Sequence, residues 1–160
     1  MDKNSILLDL SESDHAKFGK EPFEKQSVPQ KVFSSIWAVE SEVNNGGFSQ
    51  YFLNISSETA GFVVEALNTV GARQTADICR RAIAVAFPAG LPADPRQISL
   101  AAGDFSDETL KKLAALDREF SRCPDNLPEL LFAYVSRFPM EFGELPKPDE
   151  TKATRELAVN

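Results

Sequence analysis

The chain has few of the side chains on which enzymes and metal sites depend. Its 160 residues include one histidine, His15, and two cysteines, Cys79 and Cys123, which lie far apart. A catalytic triad or an imidazole metal cluster would therefore have to use His15, which stands in an acidic segment that we expect to be exposed. No phosphate-binding, dinucleotide-binding, nucleophile-elbow or metalloprotease motif occurs. We expect a non-enzymatic protein with no catalytic residue, no metal and no cofactor.

Long apolar stretches are also absent from the sequence. No run approaches the ~20 apolar residues of a membrane span. The N-terminus lacks the basic start and the long apolar region of a signal peptide. We therefore expect no membrane association and a cytoplasmic location. In that compartment a disulfide is not expected, and the apolar neighbours of Cys79 predict a buried thiol.

Basic residues are outnumbered by acidic ones. The chain has 17 Lys and Arg residues against 24 Asp and Glu residues, and its net charge is −7. An acidic protein repels the DNA backbone, so we expect no direct binding to nucleic acid. A local basic cluster lacks the interleaved aromatic residues of a single-strand binder, and it predicts ion pairs with nearby acids. Its members are Arg73, Arg80, Arg81 and Arg96.

Apolar residues recur at helical spacing along most of the chain, and no segment shows a sustained alternation. The pattern predicts an all-α fold with a single compact multi-helix domain over residues 1–144, whose motif-bearing core is 28–87. Residues 145–160 are predicted to be a flexible tail, with a partner-docking helix from Thr151 as the alternative. The predicted helices are 4–12, 28–43, 47–54, 57–70, 74–87, 107–122 and 127–138.

Prolines, glycines and N-cap residues mark the boundaries of these predicted helices. Residues 88–103 are rich in proline and glycine and are predicted to be irregular. Ser57, Ser106 and Asn126 precede apolar periodic segments and are predicted N-caps.

The most distinctive segment combines amides, two glycines and three aromatic rings. Asparagine and glycine enter left-handed conformations at low cost, so they predict the end of one helix and a sharp corner. The rings that follow are spaced i, i+3, i+4 and would share one face of a short helix. The amides either satisfy backbone groups at the corner or line a binding site. The motif residues are Asn44, Asn45, Gly46, Gly47, Phe48, Gln50, Tyr51, Phe52 and Asn54.

This motif, followed by Glu65-Ala66-Leu67 and Val70-Gly71-Ala72, resembles a bacterial domain-of-unknown-function family that can be called DMP-like. The resemblance is concentrated in residues 30–90. The family includes a DNA-mimic protein, an acidic helical dimer that binds a transcription factor in place of DNA. The resemblance implies an all-α protein that binds a protein partner, in one version a basic DNA-binding protein, and that forms a homodimer.

Acidic side chains at helical spacing form the candidate partner-binding surface. Two flank the motif, two lie seven residues apart in one predicted helix, and two open a later helix that also carries Asp117 and Glu119. These six candidates are Glu40, Glu42, Glu58, Glu65, Asp107 and Glu108.

Three functional hypotheses follow. The first is an interaction domain that mimics DNA. The second is a generic or immunity-like interaction module without mimicry. The third is a small-ligand-binding or enzymatic domain that uses the Asn/Gln motif. A surplus of large apolar residues near the C-terminus further predicts a dimer interface, at Phe132, Phe138, Met140 and Phe142.

Overall fold

A computed structural model describes residues 1–149, and within them it shows eight α-helices and no strand. The all-α prediction is confirmed, and none of these helices is long and apolar enough to cross a membrane. Two 3₁₀ helices, Phe23–Lys25 and Ile55–Thr59, lie on either side of α2. The helices are α1 (Lys3–Glu12), α2 (Val28–Leu53), α3 (Val63–Thr69), α4 (Arg73–Ala86), α5 (Pro95–Ala102), α6 (Asp107–Ser121), α7 (Leu127–Val135) and α8 (Pro139–Phe142).

Helix α2 is the centre of the fold. It packs against α3, α5, α6 and α7, so one continuous core forms around it. The second half of α2 contributes Phe52, whose ring lies edge-on to Phe87 at 5.3 Å between centroids and to Phe105 at 6.3 Å. Phe48 meets Phe120 of α6 edge-on at 5.8 Å. These aromatic contacts bury large apolar areas and fix α6 beside the end of α2.

The predicted helix 57–70 is wrong in its first half. A 3₁₀ helix occupies Ile55–Thr59, and α3 begins only at Val63. Tertiary bonds hold the 3₁₀ helix, because the Tyr51 hydroxyl bonds Thr59 Oγ1 at 2.6 Å and Ser56 Oγ donates to the Tyr51 carbonyl. Ser57 therefore caps no helix. Glu58 and Glu65, predicted on one helix face, belong to two separate elements.

The predicted irregular segment 88–103 contains a helix. Helix α5 starts at Pro95, and the Asp94 side chain accepts a hydrogen bond from the Arg96 N–H at 2.9 Å. An Asp-Pro pair is a helix-start signal, since aspartate caps and proline suits the first position. Toward the C-terminus, α7 ends at Val135, and α8 starts afresh at Pro139, which cannot continue a helix. The predicted caps Ser106 and Asn126 are confirmed.

Residues 143–149, which follow α8, contact the helical domain. Leu145 packs against the core, and the Asp149 N–H donates to the Met1 carbonyl at 3.1 Å. Residues 150–160, which include the alternative helix from Thr151, lie outside the described residues. The tail boundary at 144 stays a prediction.

Candidate functional site

Helix α2 is kinked at Gly47, in the middle of the family motif. Gly47 has φ 78° and ψ 179°, whereas Asn44, Asn45 and Gly46 remain helical. The predicted corner is therefore a kink inside one long helix, not the end of a helix at the asparagines. A positive φ at one of the two glycines was expected and is confirmed. A side-chain carbon added at Gly47 would lie 2.3 Å from Asp117 Oδ2, so glycine is required both by φ and by space.

Asp117 of α6 closes the gap that the kink opens. The break leaves the backbone N–H of Phe48 available, and this group donates to Asp117 Oδ1 at 2.8 Å. Burial raises the pKa of the Asp117 carboxyl, and the bond from Phe48 acts in the opposite direction. Asp117, which the sequence grouped with the surface acids, is thus a helix-capping residue. The kink is clamped onto α6.

The three rings of the motif share one buried face, as their spacing predicted. Phe48, Tyr51 and Phe52 are each at most 1% exposed. The Tyr51 hydroxyl is satisfied by Thr59, and burial raises the pKa of this phenol. The aromatic part of the motif is therefore structural.

The motif amides bind a carboxylate instead of the backbone. Gln50 Nε2 and Asn54 Nδ2 both donate to Glu42 Oε2, at 2.8 and 2.9 Å. We expected Asn45, Gln50 and Asn54 to satisfy backbone groups; this is wrong for Gln50 and Asn54, and Asn45 is exposed. Eight residues of straight helix would separate Glu42 from Gln50 by ~12 Å, and the kink shortens that path. The sequence carried no signal of this contact, because the contact depends on the kink angle.

Glu40 lies on the other side of α2, since two residues turn a helix by ~200°. It lines a cavity of about 400 Å³ with Asn44 from the motif, Thr75 of α4 and residues of the α6–α7 connection. Burial raises the pKa of its carboxyl. Glu40 makes no hydrogen bond or ion pair with any of residues 1–149. The side chain is half-buried and has no partner from the described chain.

The other candidate acids are spread over the surface. Glu58 and Glu65 are exposed, and Glu58 has a raised pKa because of partial burial and the nearby charge of Glu24. Asp107 and Glu108 form the first turn of α6, where Glu108 pairs with Lys112 at 3.1 Å. Within residues 1–149, Glu108 is the one candidate of the six with an ion pair.

Two members of the basic cluster, Arg80 and Arg81, form the predicted ion pairs with nearby acids. Arg81 Nε donates to Asp77 at 2.9 Å, and its two terminal nitrogens donate to both oxygens of Glu119 at 2.9 Å. Arg80 pairs with Asp77 at 2.5 Å. The paired guanidinium lowers the pKa of Glu119, whose charge is neutralised on the surface. No group of three His, Cys, Asp or Glu side chains in the described range is arranged to hold a metal.

Comparison with known proteins gives one match. No curated protein and no solved structure matches the chain. The family model described as DMP19-like protein matches residues 24–137, from the first 3₁₀ helix to the residues just after α7. The match includes the kinked helix α2, its clamp on α6 and the Glu40 cavity. It spans well over half of the chain, and the protein therefore belongs to the DMP19-like family.

Proposed function

We propose that this chain is a non-enzymatic protein-binding domain that mimics DNA and binds a basic DNA-binding regulatory protein in the cytoplasm. One observation carries the proposal. Five of the six candidate acids form no ion pair within residues 1–149, in a protein whose net charge is −7. Four of these five, all except Glu42, also make no side-chain hydrogen bond within residues 1–149, so their charge is available to an external partner. Membership of the DMP19-like family supports the same proposal, because the family that the motif resembles includes a DNA-mimic protein.

Two kinds of contact support a choice among the candidate acids for the partner-binding surface. Glu42 is engaged by two motif amides, and Asp117 caps the kink, so their charges are committed to the fold. Glu58 and Glu65 are exposed and unpaired on two adjacent elements. Unpaired surface carboxylates attract a basic protein over a Debye length of ~8–10 Å at ordinary ionic strength. We therefore assign Glu58 and Glu65 to the partner-binding surface.

The proposal is tested by capture of partners from a cell lysate on the immobilised protein, at low and at high salt. We expect a basic DNA-binding protein that is retained at low salt and released at high salt, because screening removes the attraction between the surfaces. The purified partner should then be displaced from this protein by its own DNA site. Simultaneous binding of DNA and this protein would contradict mimicry and leave the generic interaction module.

A matched pair of charge reversals locates the surface. The double substitution E58K/E65K should weaken the complex at least tenfold, while D9K/E12K on α1 changes the net charge equally and should have a much smaller effect. All four positions are exposed, so both variants are expected to fold. Equal weakening by the two variants would show that net charge alone governs binding.

Homodimerisation is a second part of the proposal, and the structure suggests a different face for it. Phe142 is buried, Phe132 and Phe138 pack on the core, and only Met140, at 98% exposure, remains of the predicted C-terminal patch. Ile55 and Leu100 are 84% and 68% exposed and line one groove between the second 3₁₀ helix and α5. Glu58 lines the same groove, so dimerisation here and partner binding at Glu58 would compete. Apolar groups exposed together are typical of interfaces.

Light scattering on the wild type and on I55E/L100E tests that face. We expect a dimer mass for the wild type and a monomer mass for the variant, with unchanged helix content by circular dichroism. A wild-type monomer across a wide range of concentration would remove the dimer from the proposal. A dimer in both proteins would move the interface elsewhere.

A further inference from the structure

The cavity beside Glu40 has the composition of a binding site for a positively charged group. It is bounded by α2, by the start of α4 and by the connection between α6 and α7. Its volume of about 400 Å³ falls within the range of small-molecule sites. No Lys or Arg among the described residues lines it. The Glu40 charge therefore faces no cation inside the cavity.

Polar acceptors surround the opening. Asp125 is held in place because its Oδ2 accepts the Thr75 N–H at 2.7 Å and the Thr75 hydroxyl at 2.9 Å. Its Oδ1 makes no hydrogen bond with residues 1–149. Asn44 adds an amide one helical turn beyond Glu40. Ammonium and guanidinium groups donate several hydrogen bonds and accept none, so they match a set of oxygens of this kind.

The remaining walls are apolar. Phe120 and Leu127 belong to the buried core, and Pro124 and Pro128 line the cavity beside them. A charged group that enters would therefore need an apolar stem behind it. Lysine and arginine side chains have that construction, as do small alkyl amines and alkyl guanidines.

An isolated carboxylate in a half-buried position reduces stability unless a partner compensates for its lost hydration. Glu40 has no such partner in the described chain, whereas Glu42 two residues later has two. We propose that the Glu40 cavity binds an ammonium or guanidinium group on an alkyl stem, with Glu40 as its counter-ion. The site does not depend on DNA mimicry. The cation is supplied either by a basic side chain of a protein partner or by a free alkyl cation.

Cys123 provides a built-in reporter, because it is exposed and lines the same cavity, whereas Cys79 is buried. The rate of labelling of Cys123 is measured with a cationic and with an anionic methanethiosulfonate of similar size. Each rate is divided by the rate at which the same reagent labels a small neutral thiol in solution. A nearby carboxylate should favour the cationic reagent by about tenfold. E40Q should lower this preference, which the Asp125 carboxylate in the same cavity sustains in part, and E65Q, an equal charge change outside the cavity, should leave it unchanged. C123S gives the background.

Protection by an added ligand tests occupancy without any substitution. Butylguanidinium and butylurea have nearly the same shape and differ in charge. We expect millimolar butylguanidinium to slow the labelling of Cys123 in the wild type, with no slowing by butylurea and none in E40Q. Equal protection by both compounds, or protection by neither, would overturn the proposal.

A final arm separates the two sources of the cation. A peptide whose one charged group is an arginine is compared with the same peptide carrying citrulline in its place, and with free butylguanidinium. Stronger protection by the arginine peptide assigns the site to a protein side chain, and stronger protection by the free compound assigns it to a small alkyl cation. Failure of DNA competition with intact protection would reject mimicry while leaving the cavity assignment in place.

Discussion

Glu40 and Glu42 are two residues apart on the same helix and have opposite surroundings. Glu42 accepts hydrogen bonds from Gln50 and Asn54, which reach it across the kink at Gly47. Glu40 faces a cavity, and no described residue bonds to it. Burial raises the pKa of Glu40. One carboxylate therefore contributes to the fold, and the other is the one for which we propose a ligand.

The comparison shows that the two halves of the family motif lie in different surroundings. Gly47 kinks the helix. Gln50 and Asn54 in the second half of the motif donate hydrogen bonds to Glu42. The first residue of the motif, Asn44, lies with Glu40 at the cavity. The kink separates these two surroundings. Its removal should therefore cause the largest loss in the free energy of unfolding.

The substitution G47A should destabilise the protein most. Gly47 has a φ of 78° and a ψ of 179°, a region open essentially only to glycine, where alanine costs ~1–3 kcal/mol, and the added carbon would also displace Asp117 from Phe48. We expect a total loss of about 3 kcal/mol or more in the free energy of unfolding, measured by urea denaturation. G46A is the comparison at a helical glycine, where the added carbon would displace the Gln50 side chain and cost its bond to Glu42 without straining φ, so we expect a smaller loss. A larger loss for G46A than for G47A would contradict the kink account.

Loss of the Asp117 cap should have an intermediate effect. D117A leaves the Phe48 N–H without its acceptor, and we expect a loss of about 1–2 kcal/mol, as for other helix caps. D117N keeps an acceptor oxygen and should lose less. Thermal unfolding of the two variants side by side measures the difference. Equal losses would show that the charge, and not the hydrogen bond, is what the kink requires.

Removal of the amides that bind Glu42 should have the smallest of these effects. Q50A/N54A deletes two donors at a partly exposed carboxylate, and we expect a loss of about 1 kcal/mol. N45A is the matched control from the same motif, because Asn45 is exposed, and it should be close to neutral. Denaturation of both variants by urea measures the two effects. A loss in N45A as large as in the double variant would contradict the assignment of Glu42 as the amide partner.

The sequence predicted the parts of this arrangement that depend on local chemistry. Glycine at a positive φ, three rings on one face and the caps Ser106 and Asn126 follow from residue type and spacing. The Asp94-Pro95 start of α5 was available to the same reasoning and was missed.

Other features could not be obtained in this way. The bond from Phe48 to Asp117 joins residues 69 positions apart, and the bonds to Glu42 depend on the kink angle. The split between the 3₁₀ helix and α3 depends on the tertiary bond from Tyr51 to Thr59. The sequence groups Glu40 and Glu42 as acids that flank the motif. Helical periodicity puts them on opposite sides of α2, but it does not show which side another element covers.

The most direct test of the contrast is the free energy of unfolding of E40Q and E42Q, measured by urea denaturation near neutral pH. The two substitutions are isosteric and remove the same charge. E42Q should be less stable than wild type by about 1 kcal/mol, because charge-assisted hydrogen bonds weaken. E40Q should be more stable than wild type, because it removes a half-buried charge that has no partner.

The pH dependence of the free energy of unfolding tests whether the Glu40 charge is the cause of the stability gain in E40Q. Burial raises the pKa of Glu40 in the folded protein above its unfolded value, so ionised Glu40 destabilises the fold at pH values above the folded pKa. The advantage of E40Q should shrink as the pH falls through the folded pKa and vanish below the unfolded pKa. Opposite signs for E40Q and E42Q near neutral pH, with that decline, are the predicted result. A loss of stability in both variants would contradict the account.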